Sequence, residues 1–397
     1  MSSNPGRPAP SGPFGERTRA EVFALILTDG PLSRVEVAAK LGLSPSTVTR
    51  LLPPLLDGDY IRETGRAATA LGRPRRLLEV NAARHLVVGV KISPTHVTGV
   101  LTDMAARVVG RAETPVPDTL PTTILRATTA LTRDLLSGVD TSLVLGIGVG
   151  VGGHVGREAG ICHTSALLDW HEVPVAAPLA EATGLPVVVE NDVNTLVVAE
   201  RWFGAGRDTR SFAVVTIGPG VGCGLLLGGA MYTGATGMAG EFGHLPLDPA
   251  GPKCLCGNHG CLEALASSAA IVRDLAHEGV RVSSAEQAAA LARAGNPAAR
   301  EVYARVGNAL GRGLAALVNL LDLELIVLAG EGAAEHDLFG PAMTAGLRAH
   351  AFSKAAERPV HIDPATDDLW ARGAACLMIG AAVAGPLTPP RVERHHP

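Results

Sequence analysis

Ile217-Gly218-Pro219-Gly220-Val221-Gly222-Cys223-Gly224 opens a glycine-rich run that ends in Gly240-Glu241-Phe242-Gly243-His244. Ten residues further on stands Cys254-Leu255-Cys256-Gly257-Asn258-His259-Gly260-Cys261-Leu262-Glu263. Glycine at this density serves tight turns and the close approach of backbone to a ligand. Ala213 to Gly240 carries no charged residue, yet its nine glycines and Pro219 break any lipid-facing helix, so no membrane span is expected. Three cysteines in so short a stretch, with a histidine upstream, make a sulfur-rich tetrahedral donor set. His244, Cys254, Cys256 and Cys261 are expected to hold a structural Zn²⁺, four protein ligands leaving no open position. Cys162, Cys223 and Cys376 sit in apolar or isolated contexts and read as core or surface thiols.

Outward from that run, the 397 residues are 47% hydrophobic and 18% charged, which excludes a disordered chain and predicts two or three globular domains. Aromatics make up only 3%, so Ala, Val and Leu fill the core. Six cysteines are too few and too clustered for a disulfide framework and point to a reducing compartment. The opening MSSNPGRPAPSGPFG has no apolar stretch of signal-peptide length, and a cytoplasmic protein is expected. Charge is unevenly spread. Residues 1–80 hold 11 Lys and Arg against 8 Asp and Glu, whereas the remainder holds 23 against 30, a basic head before an acidic body.

Residues 1–15, rich in Pro, Ser and Gly, are expected to form a flexible tail, and 16–80 a winged helix-turn-helix. Val22, Leu25 and Ile26 have helical spacing up to the Asp29-Gly30-Pro31 stop. Ser33 caps a second helix ended by Gly42, and Ser44 or Ser46 starts a third through Val48, Leu51, Leu52 and Leu55. Ala38, Ala39 and Gly42 suit the close turn between two such helices. The third helix is expected to expose Ser46, Thr47, Thr49 and Arg50 to phosphates and base edges of a major groove. Tyr60–Thr64 and Leu77–Val80 read as a hairpin whose tip, Gly72-Arg73-Pro74-Arg75-Arg76, presents Arg73, Arg75 and Arg76 to the minor groove. The expected partner is double-stranded operator DNA. One such head binds weakly, which implies two half-sites and a homodimer or homotetramer. Residues 84–397 alternate apolar strands (Leu86–Val90, Leu143–Val151, Val187–Glu190, Phe212–Ile217, Leu325–Ala329) with Ala-rich helices. They predict an α/β body in two lobes, about 84–195 and 196–397.

On the Glu241–His244 signature and the Cys-x-Cys-Gly-x-x-Gly-Cys-x-Glu motif ending at Glu263, nearly the whole chain resembles the ROK family of repressors, open reading frames and sugar kinases. The resemblance implies an actin-like, ribonuclease H-like sugar-kinase fold behind the winged head, and family members with such a head are transcriptional regulators. It assigns Asn191, Asp192, Glu241, His244 and Glu263 to sugar hydroxyls. Asp192 matches the base that activates the attacking hydroxyl in the family's kinases, and is here expected to be a relic.

Two departures bear on activity. The kinases open the body with Asp-x-Gly-Gly-Thr-Lys, whereas this chain has Gly89-Val90-Lys91-Ile92-Ser93-Pro94-Thr95-His96. Lysine in place of the aspartate removes a magnesium ligand, and Ser93 and Pro94 remove the glycines that wrap phosphate, so no catalysis is expected. Leu167 stands where the family often has a sugar-reaching asparagine, and Gly152-Gly153-His154 replaces a more usual proline-containing turn. The expectation is thus a sugar-responsive DNA-binding regulator, a repressor of carbohydrate-metabolism genes. The alternatives are an active sugar kinase carrying a DNA-binding head, and a regulator that answers to a protein partner.

Overall fold

Local capping builds the head. The computed structural model describes residues 13–67, 75–364 and 366–384. In it the head comprises α1 (Pro13–Asp29), β1 (Leu32–Ser33), α2 (Arg34–Leu41), α3 (Pro45–Leu51), α4 (Pro53–Asp57), β2 (Ile61–Ala67) and β3 (Arg75–Val80). Ser33 accepts the Glu36 amide while the Glu36 carboxylate accepts the Ser33 amide at 2.8 Å, and Gly42 closes α2 in the left-handed region at φ 64°. Ser44 caps α3 through the Thr47 amide at 3.1 Å.

Two local expectations are corrected. Helix α1 begins at Pro13, inside the stretch expected to be tail, of which residues 1–12 lie outside the described ones. The third helix divides at Leu52, because Pro53 and Pro54 supply no amide donors and restart the chain as α4. The strands pair β1-β3-β2, an antiparallel wing.

The body begins with β4 (Leu86–Ile92), β5 (His96–Asp103), β6 (Val108–Pro115), α5 (Pro121–Leu135) and β7 (Val144–Val151). A small flap follows, β8 (His154–Gly156), β9 (Ile161–Ser165) and β10 (Trp170–Pro174), then α6 (Ala176–Thr183), β11 (Val187–Asn191) and α7 (Asp192–Phe203). The second half holds β12 (Phe212–Ile217), β13 (Val221–Leu227), β14 (Ala230–Tyr232), α8 (Leu262–Ala266), α9 (Ser268–His277) and α10 (Ala285–Arg293). It ends with α11 (Pro297–Leu321), β15 (Leu325–Ala329), α12 (His336–His350), β16 (Val360–Ile362) and α13 (Asp367–Ala384). The first lobe is built on a five-stranded sheet in the order β11-β7-β4-β5-β6, the second on β14-β13-β12-β15-β16. All five strands expected from apolar runs lie in these sheets. Among the described residues no helix is long and apolar enough to cross a membrane.

The chain does not divide between lobes at a single point near residue 195. Helix α13 returns from the second lobe and lies across β4 and β7 of the first. A side chain at Gly89 or Gly148 would come within 1.9 Å of the Ala371 or Ala374 carbonyl, so glycine in the two central strands is what admits the helix. Helix α7 links the two sheets: Val193, Leu196 and Val197 share a buried cluster with Phe212, Val214 and Val327, while Thr195 Oγ1 donates to the Trp370 carbonyl of α13.

The head is continuous with the first lobe. Val22, Phe23 and Ile26 of α1 belong to one buried cluster with Trp202 of α7 and with Cys376, Ile379 and Val383 of α13. The Phe23 and Trp202 rings lie 6.4 Å apart, and Arg19 donates to the Ala384 carbonyl at 2.6 Å. Helices α7 and α13 therefore each start at the cleft between the lobes and end against the head.

Candidate functional site

On the head, α3 buries Val48 and Leu51 and turns Ser46, Thr49 and Arg50 outward, with Thr47 half-buried. Ser46 and Thr47 hydroxyls each lie 2.8 Å from the Ser44 hydroxyl, and Thr49 donates to the Pro45 carbonyl at 2.9 Å. This face presents short hydroxyls and one guanidinium in a single register. Arg76 is paired with Glu63, which also takes Arg34 at 2.6 Å, and the Arg76 guanidinium beside Glu63 holds that carboxyl below its ordinary range despite partial burial. Arg76 is thus engaged within the protein. Arg75 belongs to β3 and Arg73 lies outside the described residues.

At the cleft, the structure separates two neighbouring residues that the sequence treats alike. Asn191 is the N-cap of α7: its carbonyl oxygen accepts the Val193 and Asn194 amides at 2.9 and 3.3 Å, and its amide donates to the Gly153 carbonyl at 2.9 Å. Only one amide hydrogen is left for a ligand, and the side chain acts first as a positioner. Asp192 has one oxygen on the Val193 amide, while the other faces Gly152. A side chain at Gly152 would touch that oxygen at 3.4 Å and Leu167 at 3.7 Å, so glycine keeps the space over the carboxylate open. Burial raises the Asp192 pKa above its ordinary value, Lys91 and the backbone amides pull it back, and Glu331 adds a further rise. Such a carboxylate is a strong hydrogen-bond acceptor for a hydroxyl.

Glu263, in the first turn of α8, accepts the Val221 amide at 3.1 Å, and Glu241 lies 3.7 Å from His244 Nε2. Both belong to the second half of the body, whereas Asp192 belongs to the first. One hydrogen bond joins the halves here, His154 Nε2 lying 2.8 Å from the Thr236 carbonyl.

The Lys91–His96 stretch is filled from within. Lys91, 7% exposed, bonds Asp367 of α13 at 2.6 Å and lies 4.2 Å from the centre of the Trp370 ring; His96 takes the other Asp367 oxygen. Burial raises the Asp367 pKa, but Lys91 and His96 outweigh it and hold the carboxyl below its ordinary range. Across the cleft the Gly218-Pro219-Gly220 turn is flanked by carboxylates. A side chain at Gly218 would meet Glu331 at 2.5 Å and one at Gly220 would meet Glu263 at 2.9 Å. A polyphosphate would find a neutralised lysine on one wall and two carboxylates on the other. Asp367 and Glu331 escaped the sequence reading; only the lysine at 91 hinted at a distant acidic partner.

His244, Cys254, Cys256 and Cys261 converge, their ligand atoms all within 4.8 Å of one another. Cys254 Sγ lies 3.5 Å from His244 Nδ1, and Cys256 Sγ lies 3.7 Å from Cys261 Sγ. Tetrahedral zinc, with bonds of about 2.3 Å to sulfur and about 2.0 Å to nitrogen, spaces its ligands roughly 3.5–3.8 Å apart. The donor set therefore fits a tetrahedral metal. Gly260, at φ 61°, makes the knuckle possible, since a side chain there would lie 1.6 Å from the Asp248 carbonyl. With Nδ1 toward the metal position, Nε2 is left facing Glu241. Cys162, Cys223 and Cys376 are free and buried.

The sequence matches a winged helix-turn-helix DNA-binding domain over residues 16–62 and the ROK family over 87–381. It is 28% identical to the DNA-binding transcriptional dual regulator NagC of Escherichia coli, over 79% of this chain and 80% of that protein. To the xylose repressor of Bacillus subtilis it is 26% identical, over 83% and 86%. The crystal structure of a ROK family transcriptional regulator, described as a homologue of the E. coli MLC protein, superposes with a TM-score of 0.79 at 25% identity, covering 94% of this chain and 98% of that one. With a winged helix-turn-helix in front of a body matched over residues 87–381, the chain belongs to the ROK family.

Proposed function

We propose that this protein is a sugar-responsive transcriptional repressor of carbohydrate-metabolism genes, without phosphoryl transfer. The observation that carries this reading is the Lys91–Asp367–His96 cluster, which fills the stretch that by resemblance corresponds to the kinases' phosphate loop, in a body whose first lobe shares a buried core with the winged head. Asp192, Glu241 and Glu263 receive sugar hydroxyls, with His244 beside them. The His244–Cys261 set holds one structural Zn²⁺, which when bound ties the loop that presents Glu241 and Glu263. Sugar draws the second lobe toward Asp192, and the head, sharing a core with the first lobe, turns with it. Two copies of the chain then no longer match paired half-sites, an effect of about 1–3 kcal/mol. The chain works in the cytoplasm as a homodimer or homotetramer. The relative named a xylose repressor makes pentoses the first effectors to try.

The test is a thermal-shift panel of mono- and disaccharides, amino sugars and their 6-phosphates, with and without Mg-ATP, since a ligand of the native state raises the melting point. One sugar should stabilise the protein with no further rise from ATP. A rise with ATP, or turnover in a coupled assay, reinstates the kinase. In Asp192→Ala the loss of a charge-assisted hydrogen bond, about 1.5–3 kcal/mol, should weaken that sugar roughly 10- to 150-fold, by calorimetry. Unchanged affinity would place the site elsewhere.

Operator binding should weaken steeply with salt. Arg50→Ala should flatten the logarithmic salt slope by about 0.9 for each phosphate that the arginine neutralises, measured by fluorescence anisotropy over a salt series. Arg76→Ala should change it less, because Arg76 is held by Glu63. Equal slopes for wild type and Arg50→Ala would remove Arg50 from the interface.

A further inference from the structure

Gly152-Gly153-His154, standing where the family has a more usual proline-containing turn, ends in a side chain that crosses between the halves of the body. His154 Nε2 lies 2.8 Å from the carbonyl of Thr236, in the loop between β14 and Glu241. A carbonyl only accepts, so Nε2 carries the proton and donates it. Glycine admits the contact from both sides. Gly153, at φ 125°, folds the chain onto β9, where a side chain would lie 2.1 Å from the Thr164 carbonyl. Opposite it, a side chain at Gly237, at φ 85°, would stand 3.1 Å from the Val155 carbonyl and 3.6 Å from His154 Nε2. The imidazole is also steadied within the flap: its ring packs on that of His163 with 4.9 Å between centres, and His163 Nδ1 lies 2.9 and 3.0 Å from the two Glu172 carboxylate oxygens.

Each end of this tie leads to a wall of the sugar site in few steps. Asn191, which caps α7 and precedes Asp192, donates its side-chain amide to the Gly153 carbonyl, in the peptide bonded directly to His154. On the other side, Glu241 follows five residues after Thr236. The chain between them has little slack. The Ala239 amide donates to the Thr233 carbonyl at 3.1 Å, and Gly240 sits so close to β13 that a side chain there would lie 2.1 Å from the Cys223 carbonyl.

We propose that His154 is a positioning residue of the sugar site: donation from its Nε2 to the Thr236 carbonyl sets the spacing between the Asp192 wall and the Glu241 wall before a sugar arrives. The link to sugar rests on the function proposed above; the spacing does not. A site whose walls are already spaced loses less of its binding free energy to ordering. Breaking the tie therefore widens the range of lobe separations and weakens the sugar, while Asp192, Glu241 and Glu263 all remain.

The experiment uses the full-length wild type, His154→Phe and His154→Gln. Phenylalanine keeps a ring against His163 and removes the donor, whereas glutamine carries an amide N–H about as far from the backbone as Nε2. Lobe separation is read by pulsed electron spin resonance between nitroxides on genetically encoded keto residues at exposed positions 126 of α5 and 301 of α11, which leaves every cysteine unlabelled. Without sugar, the wild type and His154→Gln should give the same narrow distance distribution and His154→Phe a broader one. Affinity for D-xylose, or for the other sugars of the thermal-shift panel should xylose not bind, should fall about fivefold in His154→Phe, the size of one hydrogen bond, and stay within about twofold in His154→Gln. A distribution in His154→Phe as narrow as that of the wild type overturns the tie, as does a His154→Gln protein that behaves like His154→Phe. A broader distribution with unchanged sugar affinity overturns the positioning role. A wild type that binds no sugar of the panel overturns the functional reading instead, and the distance measurement then decides the tie by itself.

Discussion

Replacing Cys261 by Ser, or removing metal with a chelator, is expected to abolish sugar binding while leaving the head able to bind operator. Cys261 is fully buried, and the chain from Leu245 to Leu262 closes through backbone bonds of its own, among them the Leu247 amide on the Gly260 carbonyl, the Gly260 amide on the Pro252 carbonyl and the Leu262 amide on the Leu245 carbonyl, with Arg312 on the Leu247 carbonyl, while the three thiols and His244 meet only at the centre of the knuckle. Without metal, three thiols and an imidazole crowd together with no cation to gather them, and the loop loses its shape. Glu241 and Glu263 flank that loop on either side. Two charge-assisted hydrogen bonds at about 1.5 kcal/mol or more each then disappear, a loss of at least about a hundredfold in sugar affinity. Elemental analysis should give about one zinc per wild-type chain and less than about a tenth in the variant. Hydrogen exchange should accelerate across 244–263 and stay unchanged in α2 and α3. A folded, metal-free protein with wild-type sugar affinity would refute the role given to this centre.

Phe23→Ala is expected to destabilise the head and the first lobe together, by about 3–5 kcal/mol. Phe23 is fully buried against Trp202 and lies in the cluster that runs without a break from α1 into α13. In calorimetry the wild type should show the head melting with the first lobe in one transition. The variant should melt earlier, and its operator affinity should respond less to sugar, because the head no longer turns with α7 and α13. A separate head transition in the wild type, or a full sugar response in a Phe23→Ala protein that is folded, would show that the head is only tethered.

Head and first lobe share one buried cluster, and α7 and α13 run from it to Asp192 and Asp367. The Lys91–Asp367 bond pins the start of α13, whose far end bonds Arg19 of the head.

The amino-acid sequence by itself determined what depends on near neighbours. Ser33, Gly42 and Ser44 specify the helix-turn-helix because caps and turns are made with amides only a few residues away. The convergence of His244, Cys254, Cys256 and Cys261 was readable because three of the four fall within eight residues on a glycine-built knuckle. The body strands announced themselves as apolar runs, since central strands are covered on both faces. Tertiary structure decided what depends on where the chain returns. Lys91 and Asp367 are 276 residues apart, and nothing local to either says they meet. Gly89 and Gly148 look like weak strand residues until α13 is laid across them. Asn191 and Asp192 are adjacent and polar, yet the cap geometry of α7 turns one to the backbone and the other to the cleft. Arg76, expected from its charge to meet DNA, also pairs with Glu63 across the wing. Short-range hydrogen bonding and periodicity are encoded within a turn or two of chain, whereas ion pairs, helix-on-sheet contacts and the tie between the lobes exist only once distant segments have been brought together.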